Sequence, residues 1–144
     1  MLIKLIVIGK LKNKNISALT EEFLKRIRFD AKVEVLEFKD CNMAGENKRI
    51  MDSLTKEQGY VIALSEDGRL FNSEKLAAKF NTIHKKIVFV IGGPYGLNSD
   101  VKARADLILS LSPLTFTHEM ARFLLLEQIF RSITIIKGRG YHNA

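Results

Sequence analysis

The hydrophobic residues of this chain fall into short runs that predict β-strands. The runs are rich in β-branched residues, and several are apolar at successive positions, which is typical of strands covered on both faces. The predicted strands span residues 2–8, 33–38, 60–64, 87–91, 107–111 and 133–136.

The segments between these runs have the pattern of amphipathic helices, with apolar side chains at every third or fourth position. Ser73 is a good N-cap for one helix, and Glu127 and Arg131 are spaced to form an ion pair on another. The predicted helices span residues 16–27, 46–58, 73–83, 99–105 and 118–131. We expect the polar, glycine-containing stretch 40–48 to be the most flexible segment.

The alternation of strands and helices predicts an α/β fold, with a mainly parallel sheet and helices on both of its faces. The length of 144 residues fits a single domain, residues 1–144. In such sheets, ligands bind beyond the carboxyl ends of the strands. The sequence therefore directs attention to the segments after Leu64, Ile91 and Leu111.

Composition and charge narrow the class of protein. The formal net charge of +7 favours an anionic partner, although a basic surface without a specific partner has the same signature. Cys41 is the only cysteine, which excludes a disulfide within the chain and fits a reducing cytoplasm. We expect no metal site. The apolar runs are too short to span a membrane, and we expect the first of them to be a strand and not a signal peptide.

The segment "VFVIGGPYGL", residues 88–97, joins a buried strand to Gly92, Gly93 and Gly96. The glycines permit positive φ and close approach of a ligand to the backbone, and Asn98 or Ser99 can cap the next helix. Their spacing is neither that of a P-loop nor GxGxxG. A flavodoxin-like fold is disfavoured because no such glycine pattern follows the first strand. The segment remains open to two interpretations, a tight turn or a ligand cradle.

The segment "SLSPLTFT", residues 110–117, has more large apolar side chains than a solvated loop requires. These side chains either pack under the domain or enclose an apolar part of a ligand, such as a purine ring. Thr117 is a good N-cap for the following helix. His118 is either a functional base or a hydrogen-bonding residue at the helix start. We place Arg122 on the polar side, where it can bind phosphate, a carboxylate ligand or a neighbouring acid.

The segment "IIKGRGYHNA" places two cations, Lys137 and Arg139, close to Tyr141 and His142. An aromatic ring beside a histidine suits stacking on a nucleobase together with proton transfer. A frayed basic tail is the alternative.

Three stretches, "FVIGGPYGL", "LSLSPLTFTHEMARFLLLEQIFRS" and "GRGYHN", together resemble the ribosomal RNA large subunit methyltransferase H family of the SPOUT superfamily. The similarity runs from about Tyr60 to the C-terminus, and the opening "KLIVIGKLKNK" also fits. Thr117 stands where the family often has proline, and the segment between Asp40 and Tyr60 looks shorter than usual.

The resemblance implies an S-adenosyl-L-methionine-dependent methyltransferase that modifies N3 of a pseudouridine in 23S rRNA of the assembled ribosome. It also implies a cytoplasmic homodimer whose residues 60–144 form a trefoil knot, a rare exception to the rule against threaded chains. Two rival functions are a SPOUT methyltransferase acting on another rRNA or tRNA nucleotide and a non-enzymatic, ribosome-associated RNA-binding protein.

The resemblance places Tyr141 and His142 near the RNA base, across the dimer interface, and also implies the cofactor contacts. On this basis we expect His142 to handle the proton, Tyr141 to position or stack on the base, and Lys137 and Arg139 to contact RNA phosphate. His118 and Arg122 are expected either to order the cofactor loop or to bind RNA. The expected cofactor-binding residues are Leu64, Gly92, Leu111, Ser112, Pro113, Leu114, Thr115 and Phe116.

Overall fold

Strands and helices alternate along the chain in a computed structural model that describes residues 1–143. The elements in chain order are β1 (Leu2–Ile8), α1 (Lys14–Arg28), β2 (Lys32–Phe38), α2 (Met43–Leu54), β3 (Tyr60–Leu70), α3 (Ser73–Asn81), β4 (Ile87–Ile91), α4 (Ser99–Arg104), β5 (Leu107–Ser110) and α5 (His118–Ile136).

The strands form one sheet in the order β2-β1-β4-β3-β5, and every pairing is parallel. The predicted α/β fold with a parallel sheet is confirmed. All residues of β4 are buried because the strand lies between β1 and β3 and is covered on both faces. This position is the reason that its sequence, "IVFVI", is continuously apolar.

Each face of the sheet has its own hydrophobic core, as expected where successive side chains of a strand point in opposite directions. In β1, Leu5 and Val7 pack against α1, α3 and α5 on one face. Ile6 and Ile8 pack against α2 and α4 on the other face. Helices therefore cover both faces of the sheet, as the sequence predicts.

The prediction of a sixth strand at residues 133–136 is wrong, because this segment is the last turn of α5. Ile133 and Ile136 extend an apolar face that already includes Leu126 and Ile129, at helical spacing. Packing of this face against the sheet outweighs the β-propensity of the isoleucines.

Three smaller differences concern the ends of elements. β3 continues to Leu70, with a register irregularity against β5 after Leu64. Asn72, and not Ser73, is the N-cap of α3. The stretch expected to be flexible begins α2 at Met43. The difference at α3 arises because Asn72 and Ser73 are both good N-cap residues, and the sequence alone does not rank them.

The helices of the described residues include none that is both long enough and apolar enough to cross a bilayer. The knotted path of residues 60–144 stays a prediction.

We expect Ile129→Ala and Ile133→Ala each to lower the free energy of unfolding by about 2–5 kcal/mol, since both side chains are buried in the core. Met120→Ala, at an exposed position of the same helix, should change it by less than about 0.5 kcal/mol. Urea denaturation measures all three. A loss at Ile133 no larger than that at Met120 would contradict the packing of the last turn of α5.

Candidate functional site

A cavity of about 210 Å³ lies at the carboxyl ends of three neighbouring strands, β4, β3 and β5. The three strand ends singled out from the sequence therefore meet at one site. Its lining residues are Leu64, Ser65, Glu66, Ile91, Gly93, Pro94, Gly96, Leu97, Leu109, Leu111, Ser112, Leu114, Thr115, Phe116 and Ala121.

Most of the expected cofactor-binding residues line this cavity. Gly92 and Pro113 are the exceptions, because they neighbour lining residues in the chain but are not part of the wall. Sequence reasoning named Gly93 as part of a possible ligand cradle but missed Glu66, although this residue follows a predicted strand end. A rule that extends the search by two residues past each strand would have found it.

The loop after β5 keeps its large apolar side chains out of the core. Leu114 is 70% exposed and Phe116 is 37% exposed, and both line the cavity. This placement excludes the interpretation that they pack under the domain. The loop therefore provides an apolar wall that is open to a ligand.

Hydroxyl groups hold this loop against the irregular part of β3. Ser110 Oγ donates to the backbone oxygens of Glu66 and Ser112, at 3.1 and 3.0 Å. The backbone N–H of Leu114 donates to Ser112 Oγ at 3.0 Å. The Thr115 hydroxyl donates to the Glu66 carboxylate. The alternation of hydroxyl and apolar residues thus gives a loop whose hydroxyls bind the protein and leave the apolar side chains at the cavity.

The glycine loop after β4 forms a second wall of the cavity. Gly96 has a φ of +75°, a conformation that favours glycine, and its N–H donates to the Gly93 oxygen at 3.0 Å. A Cβ on Gly93 would lie 2.8 Å from Oε1 of Glu46. The segment is therefore both a tight turn and part of the cavity wall.

The first turn of α5 is fixed to the loop between β1 and α1. Thr117 caps the helix by accepting from Met120 N at 3.2 Å, as predicted. Glu119 Oε1 accepts from the backbone N–H groups of Lys12 and Asn13, at 2.8 and 3.0 Å. The hydrogen bond from Asn13 is the main reason that the pKa of Glu119 is lowered.

His118 and Arg122 also contact this part of the molecule. The His118 ring lies against Gly9, with Nε2 3.2 Å from the position of a Cβ on that glycine. Arg122 is 8% exposed, donates to Glu37 at 2.9 Å and lies 3.5 Å from the Gly9 oxygen. Its placement on the polar side of the helix is therefore wrong. The sequence left phosphate, a carboxylate ligand or a neighbouring acid as possible partners of Arg122, and the partner in the structure is the neighbouring acid Glu37.

The C-terminal residues fold back onto α5. Tyr141 packs edge-on against Phe130 at 4.8 Å, and its hydroxyl donates to Glu127 Oε1 at 2.9 Å. Burial, together with this hydrogen bond, raises the pKa of Tyr141. The predicted pair between Glu127 and Arg131 is present at 2.5 Å, and its hydrogen bond raises the pKa of Arg131. Within the described residues, the tail is packed and not frayed.

His142 and the two cations of the tail have partners of their own. His142 Nδ1 is 3.1 Å from Arg131 Nη1, and its Nε2 is 3.6 Å from Glu74. Lys137 lies 3.4 Å from Asp30, and Arg139 donates to the same carboxylate. The hydrogen bond from Arg139 is the largest cause of the lowered pKa of Asp30.

Within one chain, the cavity and the tail lie on different parts of α5. Ala121 lines the cavity, whereas the tail contacts Glu127 and Arg131. At 1.5 Å per residue, these contacts are about 9 to 15 Å further along the helix axis. Among residues 1–143, no cluster of three or more His, Cys, Asp or Glu side chains could hold a metal ion.

Two solved structures that share this fold are described as a probable methylase and a tRNA methyltransferase. A probable methylase family protein from Haemophilus influenzae Rd KW20 superposes with a TM-score of 0.61 at 14% identity, covering 99% of this chain and 70% of that chain. The tRNA (m1G37) methyltransferase from Aquifex aeolicus superposes with a TM-score of 0.56 at 16% identity, covering 90% and 69%. At these identities, the likeness establishes the fold.

Sequence comparison gives a closer relation. A protein from Prochlorococcus marinus (strain NATL1A), named ribosomal RNA large subunit methyltransferase H, is 43% identical over 96% of this chain and 94% of its own. A protein of the same name from Pseudothermotoga lettingae is 40% identical over 99% of both chains. The family model described as "Predicted SPOUT methyltransferase" matches residues 1–142. Because these matches extend over nearly the whole sequence, the chain belongs to the SPOUT methyltransferase family.

Proposed function

We propose that this protein is a cytoplasmic, homodimeric, S-adenosylmethionine-dependent methyltransferase that modifies N3 of a pseudouridine in 23S rRNA of the assembled ribosome. The observation that carries the proposal is the cavity at the ends of β3, β4 and β5, walled by the glycine loop and the apolar loop. The names of the relatives and the net charge of +7 agree with an rRNA substrate.

The cavity has the chemistry that the cofactor requires. Leu111, Leu114 and Phe116 offer an apolar surface for an adenine ring, and loop backbone groups can read the polar edge of the ring. S-adenosylmethionine, when bound, supplies an activated methyl group. The protein contributes orientation, because holding the reacting groups in line removes much of the entropic barrier.

We expect Phe116→Ser to weaken binding of S-adenosylmethionine about tenfold, because the variant removes apolar surface from the wall of the cavity. Isothermal titration calorimetry measures the effect. Phe29→Ser is the matched control, since Phe29 is 84% exposed and does not line the cavity. Equal affinities of the two variants would contradict this location of the cofactor, and absence of binding by the unmodified protein would contradict the enzymatic function.

We assign the proton chemistry to the tail. The N3 proton of pseudouridine must leave for the nitrogen to attack a methyl group, and His142 is suited to accept it. Tyr141 positions the base, with its own hydroxyl fixed by Glu127. An arginine can only donate hydrogen bonds, so the contact with Arg131 makes Nδ1 of His142 the acceptor and leaves the proton on Nε2. Proton uptake at Nδ1 therefore requires release from Arg131.

Tail and cavity must act on the same nucleotide, although they are about 9 to 15 Å apart along α5 of one chain. A second copy of the chain resolves this separation when the tail of one protomer faces the cavity of the other. The proposal therefore places the active site at the interface of a symmetric dimer.

The cations of the tail have a role in holding RNA. Lys137 and Arg139 share a single carboxylate, Asp30, and together keep an excess positive charge for phosphate. His118 is half-buried beside Gly9, at the start of the helix that follows the apolar loop. Arg122 is buried and paired with Glu37, so we assign it to holding α5 in place and not to RNA. The phosphate contacts proposed for Lys137 and Arg139 should make RNA binding weaken as the salt concentration rises.

We expect His142→Ala to slow single-turnover methyl transfer about 10²- to 10⁴-fold, the usual contribution of a general base. Affinity for the cofactor should change less than about twofold, because the role proposed for His142 is toward the proton of the base and not toward the cofactor. His84→Ala, at an exposed histidine outside both regions, is the control. Rates equal to those of the unmodified protein would remove His142 from the mechanism.

Mixing the two impaired variants, Phe116→Ser and His142→Ala, tests the shared site at a cofactor concentration too low to fill the cavity of Phe116→Ser. If each site combines the tail of one protomer with the cavity of the other, a 1:1 mixture after subunit exchange should recover about a quarter of the sites of the unmodified protein. Single-turnover methylation measures the recovery. A site formed within one chain predicts no recovery at all.

The substrate is tested by incubating the protein with 70S ribosomes, free 50S subunits, naked 23S rRNA and tRNA, followed by nucleoside analysis. We expect a methylated pseudouridine from 70S ribosomes and little product from the other three. Methylation of tRNA or of a different rRNA nucleotide would keep the enzyme class and overturn the substrate.

A further inference from the structure

Glu46, in the first turn of α2, is a buried acid. Within the described residues, only one of its two carboxylate oxygens accepts a hydrogen bond. The residue is 1% exposed, and its Oε2 accepts from the backbone N–H of Cys41 at 2.9 Å. Its Oε1 has no hydrogen-bond partner within the described residues. Burial of an unpartnered carboxylate oxygen is costly, so a donor from outside the chain would relieve a real penalty.

The unused oxygen lies directly behind the wall of the cavity. A Cβ on Gly93, which lines the cavity, would stand 2.8 Å from Oε1. The space left by the missing side chain is therefore within hydrogen-bond distance of the carboxylate. The nearest other atom, Ile8 Cγ2, is 3.0 Å from the same position. A small donor entering there needs this methyl group to move by a few tenths of an ångström.

The next residue, Asn47, keeps this arrangement in place. Its Oδ1 accepts from Asn98 N at 2.9 Å, and its Nδ2 donates to Met43 O at 2.9 Å and lies 3.5 Å from Gly96 O. Like Glu46, Asn47 is 1% exposed. The first turn of α2 thus holds the C-terminal end of the glycine loop, which fixes Oε1 relative to the cavity.

We propose that Glu46 is a cofactor-binding residue, and that its Oε1 accepts a hydrogen bond from the α-ammonium group of the methionine part of S-adenosylmethionine. This inference rests on the proposed function. The sulfonium carries no proton to donate, and the adenine amino group belongs to the apolar wall on the β5 side of the cavity. A buried carboxylate is best matched by a donor that is also a cation.

Glu66 is the other carboxylate at the cavity and the obvious competitor. It is exposed to water, and its Oε2 already accepts from the Thr115 hydroxyl. Its charge is therefore solvated without a ligand, whereas Oε1 of Glu46 is buried and has no partner in the part of the chain that the structure describes. Glu46 is therefore the carboxylate that still needs a hydrogen-bond donor.

The test compares three ligands by calorimetry with the unmodified protein, Glu46→Gln and Glu66→Gln. S-adenosylmethionine has both the sulfonium and the ammonium, S-adenosylhomocysteine has only the ammonium, and 5′-methylthioadenosine has neither. We expect Glu46→Gln to weaken the first two about 10- to 100-fold, as for loss of a charge-assisted hydrogen bond, and to change the third by less than about twofold. Glu66→Gln should leave the ratios among the three ligands as they are in the unmodified protein.

Three results would overturn the inference. A loss confined to S-adenosylmethionine would assign Glu46 to the sulfonium, and an equal loss for all three ligands would make it a support of the loop. The selective loss in Glu66→Gln instead of Glu46→Gln would move the role to Glu66. If the unmodified protein binds none of the ligands, the proposed function itself fails, which is a separate outcome.

Misfolding of the variant does not obscure the test. Thermal unfolding without ligand should give Glu46→Gln a Tm at or above that of the unmodified protein, since the substitution removes a buried, half-satisfied charge. Independently of any variant, the unmodified protein should bind S-adenosylhomocysteine about 10- to 100-fold more tightly than its analogue lacking the amino group. Equal affinities for these two ligands would overturn the proposal.

Discussion

The burial of α5 against the sheet is the constraint on which the rest of the molecule depends. Leu125, Leu126, Ile129 and Ile133 are each at most 3% exposed and join the core shared with α1 and α3. The loop that walls the cavity leads into this helix, and the tail folds back along it. Since such a packed helix moves as one body, its position sets the geometry of both functional regions.

The sequence predicts those features that follow from local pattern. Leu2–Ile8 and Ile87–Ile91 are strands with the bounds expected, because a short apolar run of β-branched residues is typical of a buried strand. The three strand ends to which the sequence directs attention also lie at one cavity, since the carboxyl ends of parallel strands share one edge. The prediction fails at residues 133–136 because a β-branched run has the same composition in a strand and in a buried helix. Only the spacing of Ile133 and Ile136 from Ile129, which is helical, distinguishes a helix from a strand here.

Features that depend on distant partners could not be predicted. Arg122 has a polar side chain at a position that looks exposed by helical period, yet it is buried because Glu37, 85 residues away in the chain, provides a carboxylate. Glu46 carries no local signal either, because its proposed role arises from the missing side chain of Gly93, in another loop. Desolvated charges are tolerated only where a partner compensates them, and that partner is defined by the fold and not by nearby sequence.

Under the proposed function, the charged residues that bind the cofactor and those that bind RNA differ in their exposure to solvent. The carboxylate assigned to the cofactor, Glu46, is buried behind the glycine loop, where dissolved ions have little access. The cations assigned to RNA, Lys137 and Arg139, are exposed and share one carboxylate. Salt screens exposed charges much more than buried ones. Ionic strength therefore acts mainly on the RNA contacts, so that RNA could be released while the cofactor stays bound.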